Sequence, residues 1–164
     1  MNDLERRQKI EAFGNAYFQL CDSLREFPRE MWQYKPNSEQ WSIQEILVHL
    51  ADAEANAFVR FRKAIVEPGT AITVYDQTGW AEVLSYNTQN PNDSLELFRW
   101  LRATTYSIFR TLPESIWQNK VQHPERGPET LERMVDIYIV HIEKHIAQMR
   151  RLYETWKESD VKKL

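Results

Sequence analysis

At 164 residues, with 42% hydrophobic and 27% charged positions, the chain has the composition of an ordinary globular protein and the length to bury one core, so a single domain over residues 1–164 is expected. A net charge of −3 offers no basic footprint for nucleic acid, and no apolar run approaches the roughly 18 residues of a membrane span. The opening MNDLERRQKIEAF lacks a signal peptide's apolar stretch, which points to a cytoplasmic protein with neither nucleic-acid nor membrane partners.

Few glycines and little strand-like alternation predict an all-α fold. Residues 4–26 place Ile10, Phe13, Tyr17, Leu20 and Leu24 at steps of three and four, the buried stripe of a first helix that stops before Pro28. The single Cys21 lies within this helix, between Leu20 and Leu24; it cannot form an intrachain disulfide, and burial is expected rather than reactivity. Residues 27–41 carry two prolines and read as a connection. Ser42 followed by Glu45 is a capping box, and it opens a second helix to about Val66 with the stripe Ile43, Ile46, Leu47, Leu50, Ala53, Ala57, Phe58 and Phe61. His49 borders that stripe. On its own face it continues into a polar line of Glu45, Asp52, Asn56 and Arg60.

Residues 67–92 form the longest irregular stretch, broken by a short helix near Trp80–Tyr86, and a connection of this length is often a binding loop or lid. Asn92, Asp93 or Ser94 can cap a third helix with stripe Leu95, Phe98, Leu101, Thr105, Ile108 and Leu112. Residues 113–129 read as a loop with a helical turn at Glu114–Trp117 and with His123 in solvent. A fourth helix spans 130–157, its stripe running Leu131, Met134, Val135, Tyr138, Ile142, Met149, Leu152 and Trp156. Four long helices, with long connections between the second and third and between the third and fourth, make a four-helix bundle.

His141 and His145 interrupt the last stripe where leucine would serve. A buried polar group without a partner costs roughly 1–3 kcal/mol, so something inside must satisfy both rings. Residues at i and i+4 lie one above the other on a helix, and two imidazoles so placed can share one divalent ion; two unrelated rings bonded to carbonyls or waters are the alternative. Because sites in bundles are built from facing helices, His49 is the available third ligand.

The segment WSIQEILVHLADAEANAFVRFRKAI, followed some 90 residues later by HIEKHIAQMRRL, resembles the DinB/YfiT-like family of four-helix proteins. The matching positions are Trp41, Ser42, His49, His141, His145, Gln148, Arg150 and Arg151. The resemblance implies a mononuclear divalent metal, often zinc or nickel, held by His49, His141 and His145. It also implies either thiol-dependent transferase or isomerase activity with a low-molecular-weight thiol, or hydrolase activity.

A three-histidine site leaves a coordination position for water or substrate. In an S-transferase, the leading expectation, a thiolate attacks an electrophilic carbon of a small molecule; in a hydrolase, hydroxide attacks an acyl group. Glu45 and Asp52 are carboxylates placed by helical phase to orient the rings, or they are simply solvated. Tyr138 and Gln148, one turn either side of the histidine pair, can contact a ligand or pack; Asn56 lines the same face, and Arg60 can reach an anionic substrate or remain in solvent. A non-catalytic, stress-related dimer is the rival from another class. Dimerisation fits a chain rich in Trp and Phe, which can leave an apolar helix face exposed.

Overall fold

The structure, a computed structural model, describes residues 3–161. Four long helices form the bundle: α1 (Asp3–Leu24), α2 (Ile43–Val66), α4 (Pro91–Phe109) and α5 (Leu131–Val161), with a short α3 (Gln77–Val83) between α2 and α4. α1 packs on α4 and α5, and α2 packs on the same two, so α1 and α2 stand at opposite corners. The all-α bundle expected from periodicity is therefore the architecture. None of these helices is long and apolar enough to cross a membrane.

The start of α2 is fixed by the expected capping box. Ser42 Oγ accepts from the Glu45 N–H at 3.2 Å and Glu45 Oε2 accepts from the Ser42 N–H at 2.8 Å, which satisfies two otherwise orphaned donors. α4 begins earlier than the sequence suggested. Asn90 is its cap, accepting from the Asn92 N–H, and Pro91 sits at the first helical position, where its missing N–H costs nothing. On α1, Gly14 serves close packing: a Cβ there would lie 2.7 Å from the Tyr106 ring of α4.

Two connections depart from expectation. Residues 113–129 are not all loop: after the helical turn at Glu114–Gln118, β1 (Lys120–His123) pairs antiparallel with β2 (Gly127–Thr130), and Gly127 takes φ 76° where the chain enters β2. His123, expected in solvent, is buried within this hairpin, where its Nδ1 accepts from the N–H groups of Glu125 and Arg126. The hairpin also captures the chain leaving α2. Gly69 N donates to Lys120 O at 2.7 Å, Ile72 N to Gln122 O at 3.0 Å, and Gln122 N to Thr70 O at 2.9 Å. After α3, Ser85 adopts a left-handed conformation at φ 53° and turns the chain so that Tyr86 is wholly buried.

Most of the core lies in two apolar halves, beside a small third cluster of Val48, Ala81 and Tyr86. One gathers Leu20, Ile46, Leu47, Leu50, Ile142 and Met149; the other centres on Phe13, Phe61 and Phe109, whose ring centroids lie 5.1–5.6 Å apart. At their junction lies an ion pair absent from the sequence reading: Arg102 Nη2 and Glu54 Oε2 are 2.6 Å apart, with both side chains 1% exposed. Arg102 also lies over the Phe13 ring at 3.9 Å. The pair corrects the predicted α4 stripe, because Arg102 and Phe109 face inward while Leu101 and Ile108 are partly exposed. Opposite charge across the bundle draws the arginine in. Arg102→Met, which strands Glu54 without its partner, is expected to cost about 3–5 kcal/mol in urea unfolding, whereas Glu54→Leu with Arg102→Met should recover most of that loss.

Candidate metal centre

α2 supplies His49, buried to 1% exposure, and α5 supplies His141 and His145, both half-buried and one turn apart. The rings meet through their Nε2 atoms: His49 to His141 at 3.2 Å and His141 to His145 at 3.1 Å. One potential ligand atom from each ring lies within 4.8 Å of the other two. The Trp41 ring covers His49 at 4.7 Å between centroids.

Burial and mutual repulsion hold the rings uncharged. Desolvation, with the neighbouring His145, pushes His49 down to about 3; desolvation, then His145, His49 and Arg102, pushes His141 down to about 2; desolvation also lowers His145. Neutral imidazole is the form that binds a metal. His145 Nδ1 lies 2.9 Å from Gln148 Oε1, an acceptor, so its proton sits on Nδ1 and the Nε2 lone pair faces its neighbours. A single proton on His141 Nε2 cannot then serve both short contacts fully, while a cation can accept all three lone pairs. Two nitrogens each about 2.05 Å from one ion are about 3.3 Å apart at a tetrahedral angle and about 2.9 Å at a right angle. Both measured contacts fall between these values, so each of these two pairs has the spacing of nitrogens that share a divalent ion.

The remaining predicted residues divide. Gln148 touches a histidine. Glu45 is committed to the capping box and to Lys35 at 2.9 Å, and Asp52 Oδ2 accepts from the Tyr86 hydroxyl at 2.5 Å; neither carboxylate bonds to a histidine ring among the described residues. Asn56 Nδ2 donates to its own helix at Asp52 O. Arg60 donates to the Tyr138 hydroxyl at 3.0 Å and to Thr73 O at 2.6 Å. His49 Nδ1 is buried without a partner.

His141 opens onto a cavity of about 120 Å³ whose other walls include Tyr138, Arg60, Tyr75, Arg126 and Glu129. The last two and Tyr75 lie on connections, where periodicity carries no signal. Glu54 and Arg102 did carry one: each stands on an apolar stripe, Glu54 four after Leu50 and Arg102 four after Phe98.

The sequence profile of the DinB superfamily matches residues 11–149. The chain belongs to the DinB superfamily. Among its relatives, YfiT of Bacillus subtilis, named for a proposed metal-dependent hydrolase activity, is 31% identical over 113 residues, 68% of this chain and 64% of YfiT. A protein of Oceanobacillus iheyensis with the same activity proposed in its name is 33% identical over 113 residues, again 68% of this chain and 64% of the relative. The chain thus spans about two thirds of the length of these curated relatives. The solved YfiT structure, described as an unusual four-helix bundle topology, shares this DinB fold with a TM-score of 0.87 at 23% identity, over 96% of this chain and 90% of YfiT. A mycothiol-dependent maleylpyruvate isomerase shares it with a TM-score of 0.71 at 13% identity, over 91% of this chain and 63% of that one.

The depressed histidines give this DinB protein a pH signature. In the unfolded chain a histidine titrates near 6.5, whereas folded His49 stays neutral down to about 3, so below 6.5 the unfolded state binds more protons and acid favours unfolding. Chelator-treated protein is expected to lose roughly 1.5 kcal/mol more stability between pH 6.5 and 5 than its His49→Gln variant. Parallel denaturation curves for the two would contradict a neutral His49.

Proposed function

We propose that His49, His141 and His145 hold one divalent cation, zinc or nickel, and that the protein is a metal-dependent enzyme transferring a low-molecular-weight thiol to a small electrophilic molecule. The convergence of three imidazole Nε2 edges beside a cavity is the observation that carries this reading. Bound there, a divalent cation supplies Lewis acidity that brings the ionisation of a coordinated thiol or water toward neutral pH.

The chain's own residues prepare the rest. Burial keeps the three rings neutral and ready to coordinate. Gln148 fixes the tautomer of His145, and Trp41 screens His49 from water. Tyr138 and Arg60, bonded to each other in the cavity wall, orient whatever enters beside His141.

Thiol transfer is favoured by the shared fold of the mycothiol-dependent isomerase, and hydrolysis, the second reading, by the names of the more similar relatives. We read the protein as cytoplasmic and homodimeric; Phe18 on α1 and Leu97 and Trp100 on α4 are exposed apolar side chains that a second copy would cover.

Protein purified without chelator is expected to carry about one divalent ion per chain by elemental analysis. His145→Ala should abolish binding while circular dichroism keeps most of the helicity, because apolar packing holds the bundle; a chain that unfolds with this substitution would indicate a structural ion instead. Metal-loaded protein should turn over an electrophile panel only when a thiol is supplied. Turnover indifferent to thiol removes the transferase reading in favour of hydrolysis.

A further inference from the structure

The cavity beside His141 is unbalanced in charge. Arg126 is committed to Glu129 through two contacts, Nε to Oε1 at 2.5 Å and Nη2 to Oε2 at 3.1 Å, and that pair is neutral as a unit. Arg60 has no carboxylate partner among the described residues; its Nη1 and Nη2 go to the Tyr138 hydroxyl and the Thr73 carbonyl, both uncharged. Asp52, two turns back along α2, bonds to the Tyr86 hydroxyl and is not part of the cavity wall. One positive charge is left unmatched in the wall.

Hydrogen-bond capacity is unbalanced in the same sense. Arg60 Nε and the Tyr75 hydroxyl are buried atoms without partners. The Tyr138 hydroxyl accepts from Arg60, which leaves its own proton free to donate. Donor atoms held out of water without acceptors destabilise the fold, and a bound anion reverses that loss. A single unmatched charge in about 120 Å³ suits a monoanion of a few heavy atoms.

We infer that this cavity is a carboxylate-binding subsite, in which Arg60 supplies the charge and the Tyr75 and Tyr138 hydroxyls supply neutral donors. The substrate class is a small organic acid, its carboxylate seated against Arg60 and its reacting end toward His141. The placement of the reacting end rests on the metal-dependent reading above; the binding of the carboxylate does not. Arg60 and Tyr138 lie on facing helices, so the seat is part of the bundle, while Tyr75 comes from the connection stitched to the hairpin.

The test is a chemical-shift titration of the arginine Nε–H resonances, with Arg60 assigned by its loss in Arg60→Gln, in chelator-treated and in metal-loaded full-length protein. Propionate is the probe, propionamide its uncharged isostere, and inorganic phosphate the dianionic control. Propionate should shift the Arg60 resonance in both forms of the protein, and propionamide and phosphate should bind at least about tenfold more weakly. Arg60→Gln should weaken propionate binding about tenfold, followed by shifts at neighbouring amides. Tyr75→Phe, which removes an unpartnered hydroxyl and keeps the ring against Trp80 at 4.6 Å, should weaken it about threefold without loss of fold. Equal binding of propionate and propionamide, tighter binding of phosphate, or propionate binding seen only with metal present would overturn the subsite. A chain that retains metal yet fails to distinguish the two probes overturns the subsite alone; selective propionate binding in a chain that holds no metal supports it while removing the metal reading.

Discussion

Three imidazoles meeting edge to edge between two helices impose the constraint that the rest of this structure accommodates. Each ring is amphoteric when neutral, and the proton on His145 is directed outward by Gln148, so lone pairs crowd the centre. Such an arrangement tolerates neither ring charge nor loose geometry. α2 is therefore fixed at its start by a reciprocal cap, and α5 runs through the site without interruption from the hairpin to the far end of the bundle. The rings are held by helices, which makes the geometry a property of the core and not of a loop.

The Glu54–Arg102 pair belongs to the same problem. It ties α2 to α4 at the level where the two apolar halves of the core meet, and the buried guanidinium contributes to keeping His141 uncharged. Buried ion pairs seldom add net stability, and their best-attested role is to fix one register among several. In a bundle whose helices could slide by a turn, a single complementary pair at mid-height favours one register of α2 against α4.

Much of this was legible from residue spacing, and the failures have physical causes. Helix existence, the capping box, and the i,i+4 histidines with His49 across from them followed from period and phase, because burial of one face dominates helix formation. The α4 stripe holds at Phe98 and Thr105 but is shifted by one position at Arg102 and Phe109, because an arginine on the inner face carries no apolar signal. Arg102 entered the core by virtue of Glu54, a partner forty-eight residues away. The hairpin escaped notice because its strands are four residues each and Pro124 and Pro128 read as loop; its hydrogen bonds to residues 69–72 supply what local propensity lacks. His123 was placed in solvent for the same reason. Tyr86 is buried through a left-handed Ser85, a conformation that glycine would have announced and serine did not.

The stitching of the α2 exit to the hairpin has a further meaning. The histidines stand on helices whose positions the core dictates, whereas Tyr75, Arg126 and Glu129 stand on two connections that brace one another through main-chain bonds indifferent to side-chain identity. The three histidines are accordingly written on the bundle, while part of the cavity wall is written on segments outside it. Sequence drift in the braced segments can remodel that part of the wall without disturbing the helices that carry the histidines.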